Sequence, residues 1–186
     1  ASIGSYDKAD FTNCTKLTNL NMFQLNSTQY NYNMSTLVNS PLKTLSMNRT
    51  SGDFSKIGNL TAAYNTLTSL SLINDNYGYN SAGHRVTGDC SSLSNFKALD
   101  TLNIYYNHLS GILNGISNLT TLKTLNANTN DIGDISELSS LTNLTNLNLY
   151  ANNISNINAI SNLKNLKILS LTSNSITNLR ALEGLI

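Results

Sequence analysis

Residues 144–154 read LTNLNLYANNI, with apolar side chains at the first, fourth and sixth places and Asn at the ninth. The same phrase runs as LKILSLTSNSI from Leu166, LKTLNANTNDI from Leu122 and LDTLNIYYNHL from Leu99. Looser copies begin at Leu67 (LTSLSLINDNY), Leu42 (LKTLSMNRTSG) and Leu20 (LNMFQLNSTQY). The last four start 22 or 23 residues apart. A unit that short cannot bury an apolar face by itself, so the copies must stack on one another.

Within each copy the fourth and sixth places alternate with polar neighbours at the third, fifth and seventh, the period of a short strand with one wet face. Leu102 and Ile104, or Leu147 and Leu149, therefore point inward. Asn107, Asn130, Asn152 and Asn174 fall once per copy at the turn that follows, where a primary amide can pair with backbone groups that the strand leaves open. Further on the apolar residues recur at every third place, as in Ile154, Ile157, Ile160 and Leu163, which predicts a short helical or 3₁₀ turn packed back on the strand.

Ten residues before each phrase, or fourteen in one copy that carries an insertion, stand Asp10, Tyr32, Asp53, Asp89, Ile112, Asp134 and Asn156, with Asn178 at the next slot. Asp and Asn at that point predict caps for the back-face turns, and Asp134 with Glu137 has the spacing of a capping box. Four of the ten acidic residues thereby receive a structural role.

From about Asp10 onward this pattern resembles the 22-residue class of leucine-rich repeats, similar to the SDS22-like and internalin-like proteins, with the last three copies matching most closely. The resemblance implies a right-handed α/β solenoid of about seven repeats. Its parallel sheet lines the concave face, and short 3₁₀ or α turns line the convex one. It also implies a protein-interaction module whose ligand is held on the concave sheet. Residues 1–186 are read as one domain: 1–19 a flank or partial first repeat, 20–186 the repeats, and 76–85 an insertion.

Charge is scarce, with 11 Lys and Arg against 10 Asp and Glu and a net charge of +1. No basic stripe is available for a phosphate backbone, which argues against nucleic acid. Asn makes up about one residue in six, several times its ordinary share, so the polar surface is built from uncharged amides and hydroxyls. Such a surface favours an extracellular, cell-surface or virion setting over a cytoplasmic one. No apolar run reaches the roughly 20 residues that cross a bilayer as a helix.

The two cysteines, Cys14 and Cys90, lie about three repeats apart. At about 4.8 Å per strand their backbones stand some 14 Å from each other, twice what a disulfide can bridge. Cys90 occupies an apolar slot, so a buried free thiol is expected. The histidines are His84 and His108, and no HExxH, GxSxG, P-loop or CxxC pattern occurs. Neither catalysis nor a metal or cofactor is therefore expected.

Binding has better candidates. The outward places of the strands carry Asn103, Tyr105, Asn126, Asn128, Asn148 and Tyr150, with Tyr106 beside them, and tyrosines set among small polar groups are the composition of antibody paratopes. Between Leu72 and Val86 the chain carries an excess, NYGYNSAGHR from Asn76 to Arg85, whose Tyr77, Tyr79, His84 and Arg85 are side chains suited to anchoring an interface. A smaller insertion near Thr61 to Tyr64 is expected to project from the opposite edge. The partner expected is a protein, or alternatively a glycan. Leu182, Leu185 and Ile186 end the last repeat as an apolar edge, which suggests self-association. Two functions remain open: a recognition module that binds through the concave sheet and the 76–85 loop, and a structural subunit that stacks end to end or docks into a fibre or virion.

Overall fold

The computed structural model describes residues 2–4, 10–23, 34–48, 52–73, 86–107 and 110–185. The insertion that carries Tyr77, Tyr79, His84 and Arg85 lies outside them, as does Ile186. Eight parallel strands form one sheet: β1 (Ser2–Gly4), β2 (Asn19–Phe23), β3 (Thr44–Asn48), β5 (Ser69–Ile73), β7 (Thr101–Asn103), β8 (Thr124–Asn126), β9 (Asn146–Asn148) and β10 (Ile168–Ser170). A two-residue pair, β4 (Gly52–Asp53) with β6 (Val86–Thr87), makes a second, smaller parallel contact. The return path of each repeat is a 3₁₀ turn, as at Cys90–Leu93, Ile116–Asn118, Ser136–Ser140 and Asn158–Asn162. The fold is a leucine-rich repeat solenoid.

The period-2 reading of the strands holds. Leu102, Ile104, Leu147 and Leu149 are buried, and one continuous core runs from Leu20 through Leu163. Register follows the phrase: Leu45 pairs with Leu70, Leu70 with Leu102, Leu102 with Leu125, and Leu125 with Leu147. The first copy differs from the sequence expectation. Leu20 pairs with Leu45 and Met22 with Met47, so Leu20 is the fourth place and the phrase begins at Leu17. Leu17, Leu20 and Met22 satisfy the 1-4-6 spacing as well as Leu20, Phe23 and Leu25 do, and only stacking on β3 decides between them. The flank before this repeat supplies β1, which pairs with β2 from Ser2↔Asn21 to Gly4↔Phe23.

The asparagine ladder forms as expected. Asn130 donates through Nδ2 to the carbonyls of Ile104 (2.8 Å) and Ala127 (3.1 Å), and its Oδ1 accepts the N–H of Asn107 at 3.2 Å. Asn174 repeats the pattern with the carbonyls of Leu149 and Leu171 and the N–H of Ile154. Immediately before each of these asparagines the chain adopts left-handed backbone: φ is 61° at Tyr106, 52° at Thr129, 52° at Ala151 and 58° at Ser173. The sequence gives no hint of this, because none of the four is Gly. The sheet's hydrogen bonding holds them there: the N–H groups of Tyr106, Thr129 and Ala151 donate to the carbonyls of Asn128, Tyr150 and Thr172 in the next repeat.

The caps are present in modified form. Asp10, Asp89, Asp134, Asn156 and Asn178 each accept, through Oδ1, the N–H two residues on. At Asp134 and Glu137, however, no capping box closes. The helical turn is 3₁₀ with Ile135 at its N-cap, and Glu137 turns to the preceding repeat, where Oε2 accepts from the N–H and hydroxyl of Ser117 at 3.3 and 3.0 Å.

The insertion near Thr61 to Tyr64 also differs from the expectation of a projecting loop. It folds as the 3₁₀ turn Thr61–Ala63 and sets Ala63 in the core. Tyr64 packs edge-on against Phe96 with ring centroids 5.2 Å apart. Cys90 is a buried free thiol and Cys14 a half-buried one.

Candidate functional site

The concave face is built by the strands' outward places. Asn103, Asn126 and Asn148 occupy the central outward place of β7, β8 and β9 and pair with one another in register. Ser71 continues the row on β5 and Ser170 on β10. The row's orientation is partly fixed by the residues two places on. The Oδ1 of Asn126 accepts from Nδ2 of Asn128 at 2.7 Å, and the Oδ1 of Asn148 accepts the N–H of Tyr150 at 3.1 Å. Asn128 in turn accepts the hydroxyl of Thr129 at 3.0 Å.

The tyrosines stand where the strands end. Tyr105 and Tyr106 form an edge-to-face pair with centroids 5.7 Å apart, and Tyr106 owes its direction to the left-handed backbone at φ 61°. Tyr150, two strands further on, is 44% exposed against 39% for Tyr106. These are large rings carried into solvent at the strand ends, and a tyrosine has only two side-chain torsions to immobilise on binding.

The alternation thus sets Asn103, Tyr105, Asn126, Asn128, Asn148 and Tyr150 at outward places of one sheet, with the exposed Tyr106 against Tyr105 at a strand end. Asn146 and the 59%-exposed Ile168 also belong to it. Both were legible as outward third-place residues, but a third place without an aromatic gave no signal of binding. Leu182 and Leu185 lie elsewhere, half-buried at the far end of the solenoid beside the exposed Leu179.

No Asp, Glu, Lys or Arg occupies an outward place on any of the seven repeat strands. Charge begins at the rim, where Lys123 approaches Asp100 at 3.6 Å between exposed side chains. The titratable groups with displaced pKa values lie on the other side of the molecule. Burial pushes the Cys90 thiol far up, with the negative charges of Asp89 and Glu137 adding to it. Burial also pushes Glu137 up, but hydrogen bonds from Gly115 and Ser117 outweigh it and hold this carboxyl below the ordinary value of 4.5. Among the described residues no three His, Cys, Asp or Glu side chains gather as metal ligands. Among the same residues no helix is long and apolar enough to cross a membrane.

Solved structures with this architecture are leucine-rich repeat proteins. An internalin of Listeria monocytogenes superposes with a TM-score of 0.71 at 30% identity over 99% of this chain. A leucine-rich repeat protein of Leptospira interrogans gives 0.69 at 26% identity over 94% of the chain. The ectodomain of an Arabidopsis thaliana membrane receptor kinase, in complex with CASPARIAN STRIP INTEGRITY FACTOR 2, gives 0.63 at 20% identity and so shares the fold. No family model and no curated protein matches the sequence. The chain is a leucine-rich repeat protein. Within that class it is similar to the internalins, and it spans 51% of the internalin's length and 41% of the Leptospira protein's.

Proposed function

We propose that this chain is a non-catalytic recognition module that binds a protein partner through its concave sheet, with the 76–85 insertion contributing to the same interface. The observation that carries this reading is the rigid, uncharged face on which Asn103, Asn126 and Asn148 stand in register beside the exposed rings of Tyr106 and Tyr150. The similarity to internalins and to a receptor ectodomain supports both the interaction role and a place at a cell surface or outside the cell. The scarcity of charge agrees with that setting.

The test is binding by variants whose fold is intact. Replacing Tyr105 and Tyr150 by Ala, or deleting residues 76–85, should abolish capture of the partner while far-UV dichroism stays the same. Undiminished capture in all these variants would move the site off the concave face.

A second reading is a structural subunit that stacks end to end or docks into a larger assembly. Solution mass separates the two readings for the 186-residue chain. A concentration-dependent rise that Leu182→Glu and Leu185→Glu abolish would favour stacking.

A further inference from the structure

We propose that what the concave sheet grips on its partner is a neutral, β-linked hexopyranose chain, laid across the strands with one sugar ring to each of β7, β8 and β9. The inference rests on the concave-face reading above and specifies its ligand.

Charge is the first argument. A ligand bearing uronate, sulfate or phosphate would leave its charges without partners on a face whose outward places hold no cation, and burying an unpaired charge is costly. The amide row is the second. Asn103 makes no side-chain hydrogen bond to a described residue, and the Nδ2 groups of Asn126 and Asn148 donate to none either, so each strand offers unused N–H donors on one line. The carbonyl oxygens of Asn126 and Asn148 are meanwhile fixed by Asn128 and by the N–H of Tyr150. A primary amide with donor and acceptor side by side matches the neighbouring hydroxyls of a sugar, and two of these three are held in orientation before any ligand arrives.

Spacing favours a glycan carried by the partner over an extended peptide segment of it. The row repeats at the strand separation, about 4.8 Å. An extended polypeptide advances about 3.3 Å per residue, so its amides fall out of step with the row within two strands. A β-1,4-linked pyranose ribbon advances by about one ring length per residue, close to the strand separation, so one ring lies over each strand, with the same ring edge returning at every second strand. The tyrosines complete the site: Tyr106 and Tyr150 sit two repeats apart near the row with 39% and 44% of their surface exposed, and exposed aromatic rings are suited to the apolar faces of sugars.

The experiment is titration of the 186-residue chain with neutral β-linked hexasaccharides of glucose, N-acetylglucosamine, mannose and galactose, followed by calorimetry and by amide chemical shifts. Maltohexaose serves as the α-linked control and a heparin hexasaccharide as the charged one. At least one β-linked hexamer should bind with a Kd below about 1 mM, at least tenfold more tightly than either control. Its affinity should change less than about twofold between low and high salt. Asn148→Ala should weaken it about 3- to 10-fold, and the isosteric Asn103→Asp, which exchanges a donor for a charge without altering shape, should abolish it. Failure of every β-linked hexamer to bind would overturn the glycan and leave the concave-face reading to be judged by its tyrosine variants. Binding that perturbs the convex turns while Asn103, Asn126 and Asn148 stay unmoved would overturn both.

Discussion

The Oδ1 of Asn152 accepts the backbone N–H of Ile132, in the preceding repeat, at 3.1 Å, while its Nδ2 donates to the carbonyls of Ala127 and Leu149, each at 3.1 Å. One buried amide therefore ties the turn of its own repeat to the strand and turn of the repeat before it. Asn152→Ala leaves buried backbone groups of both repeats unsatisfied and should cost about 1–3 kcal/mol. Asn107 provides the comparison, because its Oδ1 is buried with no hydrogen-bond partner among the described residues. Asn107→Ala should cost less than Asn152→Ala, and thermal unfolding of the two variants side by side checks the order.

The four left-handed residues give a prediction of opposite sign. Thr129 holds φ at 52° although it is β-branched, and an L-residue there is disfavoured by roughly 1–2 kcal/mol. Thr129→Gly removes that strain and gives back about 0.5–1 kcal/mol in unfolded-state entropy. A small net stabilisation, up to about 1 kcal/mol, should appear as a raised Tm. The same substitution at Thr124, within the extended strand β8, should lower it.

Much of this fold was legible in the sequence because stacking repeats the same test many times. A spacing that recurs at Leu99, Leu122, Leu144 and Leu166 fixes strand, turn and register together, and the asparagines that follow identify the buried turn. The errors arose where a single copy had to be read alone. Leu17 and Leu20 fit the phrase equally well, and only pairing with Leu45 separates them. Glu137 has a capping-box spacing, but a 3₁₀ turn aims its carboxylate at Ser117 instead. Of the candidate site, the alternation of the strands gave the concave residues directly. The exposure of Tyr106 depends on a left-handed φ that no residue type announces.

Gly115 closes the back face. It has φ of 79°, and a Cβ placed there would lie 2.4 Å from the Cα of Ser91 in the preceding repeat. Neither that backbone atom nor the strained φ can be relieved by a side-chain rotation. Gly115→Ala should therefore destabilise by about 2–4 kcal/mol, the sum of a left-handed penalty and overpacking. Gly133, with its nearest neighbour at 3.9 Å, is the control, and Gly133→Ala should leave Tm nearly unchanged.

The two thiols should differ in reactivity. Cys90 is fully buried, and burial, the first cause, together with the charges of Asp89 and Glu137 holds its pKa far above the ordinary thiol value. The nucleophile is the thiolate, so Cys90 should resist alkylation by iodoacetamide at neutral pH while the chain is folded. Cys14, half-buried, should react first. Mass spectrometry of peptides before and after denaturation checks this, and equal labelling of both in the native state would contradict the packing.

The link between Glu137 and Ser117 sets an acid limit on the back face. Burial alone would raise the Glu137 pKa. The hydrogen bonds from the backbone of Gly115 and Ser117 and from the Ser117 hydroxyl outweigh it, and the folded value lies below the ordinary 4.5. A carboxyl with a depressed folded pKa binds its proton more readily in the unfolded chain. Its stabilisation is therefore fully present above about pH 4.5 and is lost as pH falls through the depressed value. Glu137→Gln removes the charge at every pH and keeps an oxygen that can accept from Ser117. The wild-type chain should thus be the more stable of the two at neutral pH, and the difference in Tm should shrink steadily below pH 4.5 until the curves meet. Thermal melts of both proteins from pH 7 to pH 2.5 measure this directly. A difference that stayed constant across that range would show that the bracket between the repeats carries no charge-dependent stability.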